Sequence, residues 1–243
     1  MIAAAPMQIL AVIPARFGAQ RFPGKPLADL GGRPVIQWVY EAASSCPHFD
    51  AVVVATDDER IAACVAGFGG EVEMTSPDHR SGTDRVAEVA ERHPDAGVVV
   101  NVQGDQPFAE APMLTALVRP YLDGETPAMT TLACPLAPEA RDDPNTVKVV
   151  CDLSGNALYF SRSLIPSSGP ALQHLGLYAF TRETVLRFPA LEATALERQE
   201  RLEQLRALEH EIAIRVCRTD RPVIEINTPE DLEAAVAMTS GRS

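Results

Sequence analysis

Three apolar runs bounded by turn residues, Gln8–Ile13, Ala51–Thr56 and Gly97–Val102, alternate with segments of helical periodicity, and no other feature constrains the fold as much. Each run is apolar at consecutive positions rather than at every second one, as a strand buried on both faces requires. Between them, Pro34–Ala43 opens on a proline suited to a first helical turn and carries Ile36, Val39 and Tyr40 at helical spacing. Asp57–Gly67 starts with acids, places Ile61, Cys64 and Val65 on one face and stops at Gly67; Gly82–Arg92 turns Val86 and Val89 inward. The expected fold is α/β, a doubly wound, mostly parallel sheet. Ligands of such sheets lie at the carboxyl ends of the strands, so the functional loops should follow Ile13, Thr56 and Val102.

The second half has another rhythm. Met129–Ala133, Val147–Cys151, Ala157–Phe160 and Leu175–Phe180 read as strands in close succession, a β-rich insertion at about 130–180 with antiparallel or mixed pairing, inside what reads as one domain over 1–243. Glu192–Leu208 reads as one strongly charged helix with Leu196, Leu202, Leu205 and Leu208 as its apolar members. A strand at Glu211–Cys217 follows. The last helix is opened by Thr228-Pro229-Glu230-Asp231, with Thr at the N-cap and acids in the first turn.

The charge balance of 21 Lys+Arg against 33 Asp+Glu, a formal −12, sets a low expectation for nucleic acid or anionic membrane as partners. Any anion must be held locally. The five cysteines are odd in number and spread without a CxxC pair, so neither a disulfide framework nor a zinc site is indicated, and a reducing, cytoplasmic setting is expected. No apolar stretch approaches the roughly 20 residues that cross a bilayer.

The chemistry concentrates after the first strand. Ile13–Leu27, IPARFGAQRFPGKPL, gathers Arg16, Arg21 and Lys25 on a loop shaped by Gly18, Pro23, Gly24 and Pro26. Three cations with exposed amides at a strand's carboxyl end suit a triphosphate: lysine offers a point charge and arginine a bidentate fork. The loop is neither GxxxxGK[ST] nor GxGxxG, which counts against an ATPase and an NAD enzyme. After the third run, Gln103-Gly104-Asp105-Gln106-Pro107 ends a buried strand on one carboxylate, and Asp105 is the candidate ligand for Mg²⁺. Asp57-Asp58-Glu59 reads as a helix start, because acids suit the positive end of the helix dipole.

In order along the chain, IPAR, RFPGKPL, VATDDERI, SGTDR, VNVQGDQP, ALYFSR, HLGLYAF, LEQLRALE and TPEDLE resemble the 3-deoxy-manno-octulosonate (Kdo) cytidylyltransferase family, over about residues 8–236. The resemblance implies a cytoplasmic, Mg²⁺-dependent homodimer that transfers CMP from CTP to the 2-hydroxyl of Kdo for lipopolysaccharide synthesis, with dimer contacts in the β-rich stretch. It implies catalytic roles for Arg16, Lys25 and Asp105. Pro14, Ala15, Arg16, Lys25, Ser81, Gly82, Arg85 and Gln103 would meet the nucleotide. Arg21, Gln103, Arg162, His174, Tyr178, Glu203 and Gln204 would meet the acidic sugar, and Asp105 with Asn227 the metal.

Two residues depart from the family pattern. Asn227 stands where a second metal carboxylate is common, and Ala19 where a small hydroxyl residue is common. They leave open a nucleotide-binding homologue with impaired catalysis, while a short Ile165–His174 segment, with SGTDR and QGDQP, leaves open an 8-amino analogue of Kdo or another ulosonic acid as acceptor.

Overall fold

The computed structural model describes residues 7–18 and 22–239. Ala19 and Arg21, both singled out above, lie outside the described residues. The chain divides into two compact units, the first within residues 1–115 and 223–243, the second Ala116–Pro222.

In the first unit β1 (Gln8–Ala15) leads through a short hairpin, β2 (Asp29–Leu30) and β3 (Arg33–Pro34), to α1 (Val35–Ser44); β4 (Ala51–Thr56), α2 (Glu59–Gly67), β5 (Glu71–Met74), α3 (Gly82–Arg92) and β6 (Ala96–Asn101) follow. All pairings in its main sheet are parallel, in the order β6-β1-β4-β5. Registers such as Val12 with Val53 and Val12 with Asn101 put β1 between two neighbours. Burial follows: Ile9–Ile13 are at most 3% exposed, and Val98, Val99 and Val100 are fully buried. The consecutive apolar residues noted above are therefore apolar because both sheet faces are covered. Val35, Ile36, Val39 and Ala43 form the buried stripe of α1, and Ile61 and Val65 that of α2. Asp58 caps α2 by accepting the Arg60 N–H at 2.9 Å, so the Asp-rich run is a helix start.

Topology locates the site. The chain builds outward from β1 to β4 and β5, then returns to lay β6 on the other side of β1. Strand order therefore reverses between β1 and β6, where connections diverge and leave a crevice at the carboxyl ends. The loops after Ala15 and after Asn101 border that crevice.

α4 (Ala111–Leu122) runs across the division between the units. In the second unit β7 (Met129–Pro135), β8 (Lys148–Cys151), β9 (Ala157–Ser161) and β10 (Leu172–Thr181) are followed by α5 (Arg182–Arg187), α6 (Ala195–Glu200), α7 (Gln204–Glu209) and β11 (Ile214–Arg218). β10 is antiparallel to β7 and to β8, β8 to β9, and β11 is parallel to β7, so the pairing is mixed. The single charged helix expected over Glu192–Leu208 is instead α6 and α7, separated by Arg201 in the left-handed conformation (φ 56°). The reason is an ion pair. Glu197 takes both Nε and Nη2 of Arg206, nine positions on, which an unbroken helix would place about half a turn round and more than 10 Å along the axis. The break also sets the buried Leu202 and Leu205 against the core.

The last described element, α8 (Pro229–Thr239), belongs to the first unit. Thr228 Oγ1 accepts the Asp231 N–H, and Asp231 Oδ2 accepts the N–H groups of Asn227 and Thr228, each at 2.8 Å. The cap read from the sequence is present, and it fixes Asn227 immediately outside the helix.

Candidate active site

A cleft of about 240 Å³ opens at the β1/β6 crevice, lined by Pro14, Ala15, Arg16, Lys25, Pro26, Arg80, Ser81, Gly82, Gln103, Gly104 and Asp105. Two glycines are required by geometry. Gly24 has φ +75°, and its N–H donates to Phe17 O at 2.8 Å, which turns the chain so that Lys25 opens a short 3-10 turn. At Gly104 a Cβ would lie 2.8 Å from the Pro14 carbonyl oxygen, so only glycine lets the Gln103–Gln106 turn approach the end of β1.

Lys25 Nζ lies 2.9 Å from Asp105 Oδ2, with side chains 13% and 26% exposed. Arg16 is oriented differently: its Nη2 donates to the carbonyls of His79 (2.6 Å) and Ser81 (2.8 Å). Gln103 Nε2 donates to Asn101 Oδ1 at 3.2 Å. Cations from two loops and one carboxylate thus meet at one strand-end crevice. Such a set can hold a polyanion and, through Asp105, a divalent cation shared with its oxygens.

SGTDR is partly architecture. Ser81 is the N-cap of α3, and a reciprocal capping box links it to Asp84: Asp84 N–H donates to Ser81 Oγ and Ser81 N–H to Asp84 Oδ2, each at 3.1 Å. Ser81 and Gly82 line the cleft. Arg85 does not: its side chain is fully buried, paired with Asp57 at 3.2 Å and hydrogen-bonded to Thr75 Oγ1. Burial, opposed by Asp57, and the neighbouring Arg16 charge push its pKa down. The expectation that it meets the nucleotide is corrected: Asp57 and Thr75, just past the carboxyl ends of β4 and β5, hold its guanidinium inside the protein, away from the cleft.

Asn227 is brought beside Asp105, since the Ile226 N–H donates to Asp105 O at 2.9 Å. Its Nδ2 donates to Glu225 Oε2 at 3.2 Å, and Gln106 Nε2 donates to Glu225 Oε1 at 3.0 Å. Glu225 is a nearby carboxylate that sequence reasoning missed. Although part of the residue stays open to solvent, desolvation of its carboxyl and then the Asp105 charge push it above the usual carboxylate range. The alternation in Ile224-Glu225-Ile226-Asn227, two polar side chains on one side of an extended segment, was the available signal.

In the second unit the expected sugar residues fall into two neighbourhoods. His174 and Tyr178 sit on β10 with ring centroids 5.6 Å apart, His174 edge-on to Phe160 at 4.8 Å. Both are buried. Thr131 Oγ1 lies 2.9 Å from His174 Nε2 and donates its one proton to Leu177 O at 2.8 Å, so the imidazole carries its hydrogen on Nε2 and donates to Thr131. Burial pulls the His174 pKa down to about 3. Arg162 gives Nε to Glu200 O (2.8 Å) at the end of α6 and Nη1 to Pro144 O (3.0 Å) before β8, so much of its fork is taken up by backbone carbonyls. Glu203 stands at the N-cap of α7. Gln204 follows it, 4% exposed, with Nε2 buried and lacking a hydrogen-bond partner among the described residues.

The match to known proteins covers this whole arrangement. The family model described as cytidylyltransferase matches residues 10–214, and the chain is a cytidylyltransferase by sequence and fold. It is 59% identical over 235 residues to the 3-deoxy-manno-octulosonate cytidylyltransferase of Acaryochloris marina, covering 94% of this chain and 96% of that one. The protein of the same name from Synechococcus elongatus is 52% identical over 243 residues, covering 97% and 100%. A solved structure of CMP:2-keto-3-deoxy-manno-octonic acid synthetase complexed with CTP matches with TM-score 0.92 and 37% identity, over 97% of this chain and all of that one. The chain belongs to the 3-deoxy-manno-octulosonate cytidylyltransferase family.

Proposed function

We propose that the protein transfers CMP from CTP to the 2-hydroxyl of 3-deoxy-manno-octulosonate and releases pyrophosphate, the activated sugar serving lipopolysaccharide synthesis. The observation that carries this is the meeting of Lys25 Nζ and Asp105 Oδ2, 2.9 Å apart, in the β1/β6 cleft. Arg16 and Lys25 bind the phosphates and offset charge that grows on the departing pyrophosphate. The sugar hydroxyl oxygen bonds to the α-phosphorus as the bond to the β-phosphate oxygen breaks; that oxygen leaves with the electron pair, and the hydroxyl proton passes to solvent. No protein nucleophile is needed, so positioning supplies much of the rate. Gln103, beside Asp105, has donors and acceptors for either substrate, and Arg21, Arg162, His174, Tyr178, Glu203 and Gln204 are assigned to the sugar acid.

Mg²⁺ fits the donor set. Among the described residues no group of three or more His, Cys, Asp or Glu is arranged to hold a metal, which suits a cation that keeps waters and takes phosphate oxygens alongside one or two protein ligands. Asp105 would hold it, with the neutral oxygen of Asn227 beside it. When bound, the ion neutralises charge on the triphosphate.

The five free cysteines support a cytoplasmic setting. Among the described residues no helix is long and apolar enough to cross a membrane. A homodimer through the β-rich stretch is supported by Leu153, fully exposed, and Leu158, 62% exposed, both in the β8–β9 hairpin region. Leu158→Glu is expected to halve the mass seen by light scattering while leaving the circular dichroism unchanged; an unaltered mass would remove this face from the dimer.

The deciding assay follows pyrophosphate with CTP, Mg²⁺ and a panel of acceptors that includes Kdo, its 8-amino analogue and nine-carbon ulosonates, with products identified by mass. CMP-Kdo is the expected product, and release that needs all three components. Silence with every ulosonic acid would overturn the proposal.

A further inference from the structure

We infer that Glu88, on α3, is a positioning residue for Arg16, acting through the turn at 76–81. The inference rests on the reading of the cleft as a triphosphate site. Glu88 Oε2 accepts both the Ser76 N–H at 2.9 Å and the His79 ring Nε2 at 2.5 Å. One helical turn earlier on the same face, Asp84 Oδ2 accepts the N–H groups of Arg80 (3.2 Å) and Ser81 (3.1 Å). Two carboxylates four residues apart thus grip one turn at both ends. The carbonyls of that turn are what orient Arg16, since His79 O and Ser81 O both accept from its Nη2.

The consequence is a relay from helix to cleft with no intervening loose joint. A guanidinium held by two carbonyl oxygens on one nitrogen has its plane fixed only as well as those carbonyls are fixed. A turn rich in Ser, Pro, Asp and Arg has no apolar anchor of its own, so its anchors are the two carboxylates, Asp84 at the Arg80–Ser81 end and Glu88 at Ser76 and His79. The opposing influences on Glu88 agree with this task. Burial raises its pKa, but the Ser76 N–H, His79 and Arg92 together hold it below the usual range. Its other oxygen pairs with Arg92, a half-exposed partner that also reaches Glu73 and Met74 O and adds little to the grip on the turn.

Calorimetric titration of the whole chain with CTP and Mg²⁺, without acceptor, tests this. Arg16→Ala is expected to weaken CTP binding at least about tenfold. Glu88→Ala should weaken it to a comparable degree, and the double variant should bind within about twofold of Arg16→Ala alone, because effects exerted through one residue do not multiply. Glu88→Gln keeps an acceptor oxygen and should restore most of the affinity; Arg92→Ala should stay within about twofold of the parent. If Glu88→Ala does not fold, His79→Ala removes one of the two grips from an exposed loop while leaving the 79 carbonyl in place, and it should weaken binding in the same direction and non-additively with Arg16→Ala. Effects that multiply in the double variants would overturn the inference, as would parental affinity in both Glu88→Ala and His79→Ala beside a weakened Arg16→Ala. Parental affinity in Arg16→Ala itself would instead sink the triphosphate reading, and this inference with it.

Discussion

Asp105→Asn should lower kcat/KM by about three orders of magnitude while leaving the melting temperature close to that of the parent. The substitution keeps the side-chain shape but removes the charge that faces Lys25 at 2.9 Å, and with it the carboxylate assigned to the metal. Stability should change little, because a partly exposed ion pair contributes about 1 kcal/mol or less. The Ile226 N–H bond to the Asp105 backbone oxygen, which ties the end of the chain to this turn, is untouched. Initial rates of pyrophosphate release over a range of CTP concentrations with Kdo saturating, read beside a thermal melt, give both quantities. A loss of less than about tenfold would mean that the carboxylate is not where charge develops.

How much of this was legible in the sequence differs from residue to residue for physical reasons. Arg16, Lys25 and Asp105 could be placed because they follow buried strands, and a parallel sheet brings the carboxyl ends of neighbouring strands together whatever the intervening helices do. The apolar runs of β1, β4 and β6 were readable because burial on both faces leaves no polar position. β5 was not announced: Glu71–Met74 alternates charged and apolar residues over four positions, and none of the four is fully buried. α4, with Pro120 inside it, does not have the tidy breakers of a helix end. Arg85 looks in sequence like any cation of the SGTDR block, and only the pairing with Asp57 and Thr75 shows that it is spent inside the protein. The Arg201 break was invisible for a similar reason, since helical periodicity cannot register an ion pair between residues nine apart. Arg21, outside the described residues, stays with the resemblance alone.

The second large effect concerns acid stability. His174 has a pKa of about 3 in the folded chain against 6.5 for the free side chain, because burial disfavours the imidazolium. The unfolded chain therefore binds a proton that the folded chain refuses. Its stabilising effect is complete above pH 6.5 and is lost progressively as pH falls toward 3, at up to about 1.4 kcal/mol per pH unit. His174→Gln can still donate to Thr131 but does not titrate. Its stability relative to the parent should rise by about 3 kcal/mol between pH 6.5 and about pH 4, measured by urea unfolding across a pH series. Carboxylates common to both proteins cancel in that difference. Parallel curves for the two proteins would mean that His174 takes up its proton without unfolding.

Arg16 and Lys25 border the same cleft, yet the chain holds them by opposite means. Lys25 is matched to a carboxylate, so an arriving anion competes with Asp105 for it. Arg16 is held by neutral carbonyl oxygens, and no ion pair among the described residues offsets its charge. On a molecule with a net charge of −12, that point, with Arg80 beside the same cleft, is a local attractor in a repulsive field, and capture of a nucleotide should be governed by a short-ranged, salt-sensitive approach to the cleft rather than by steering from the protein as a whole.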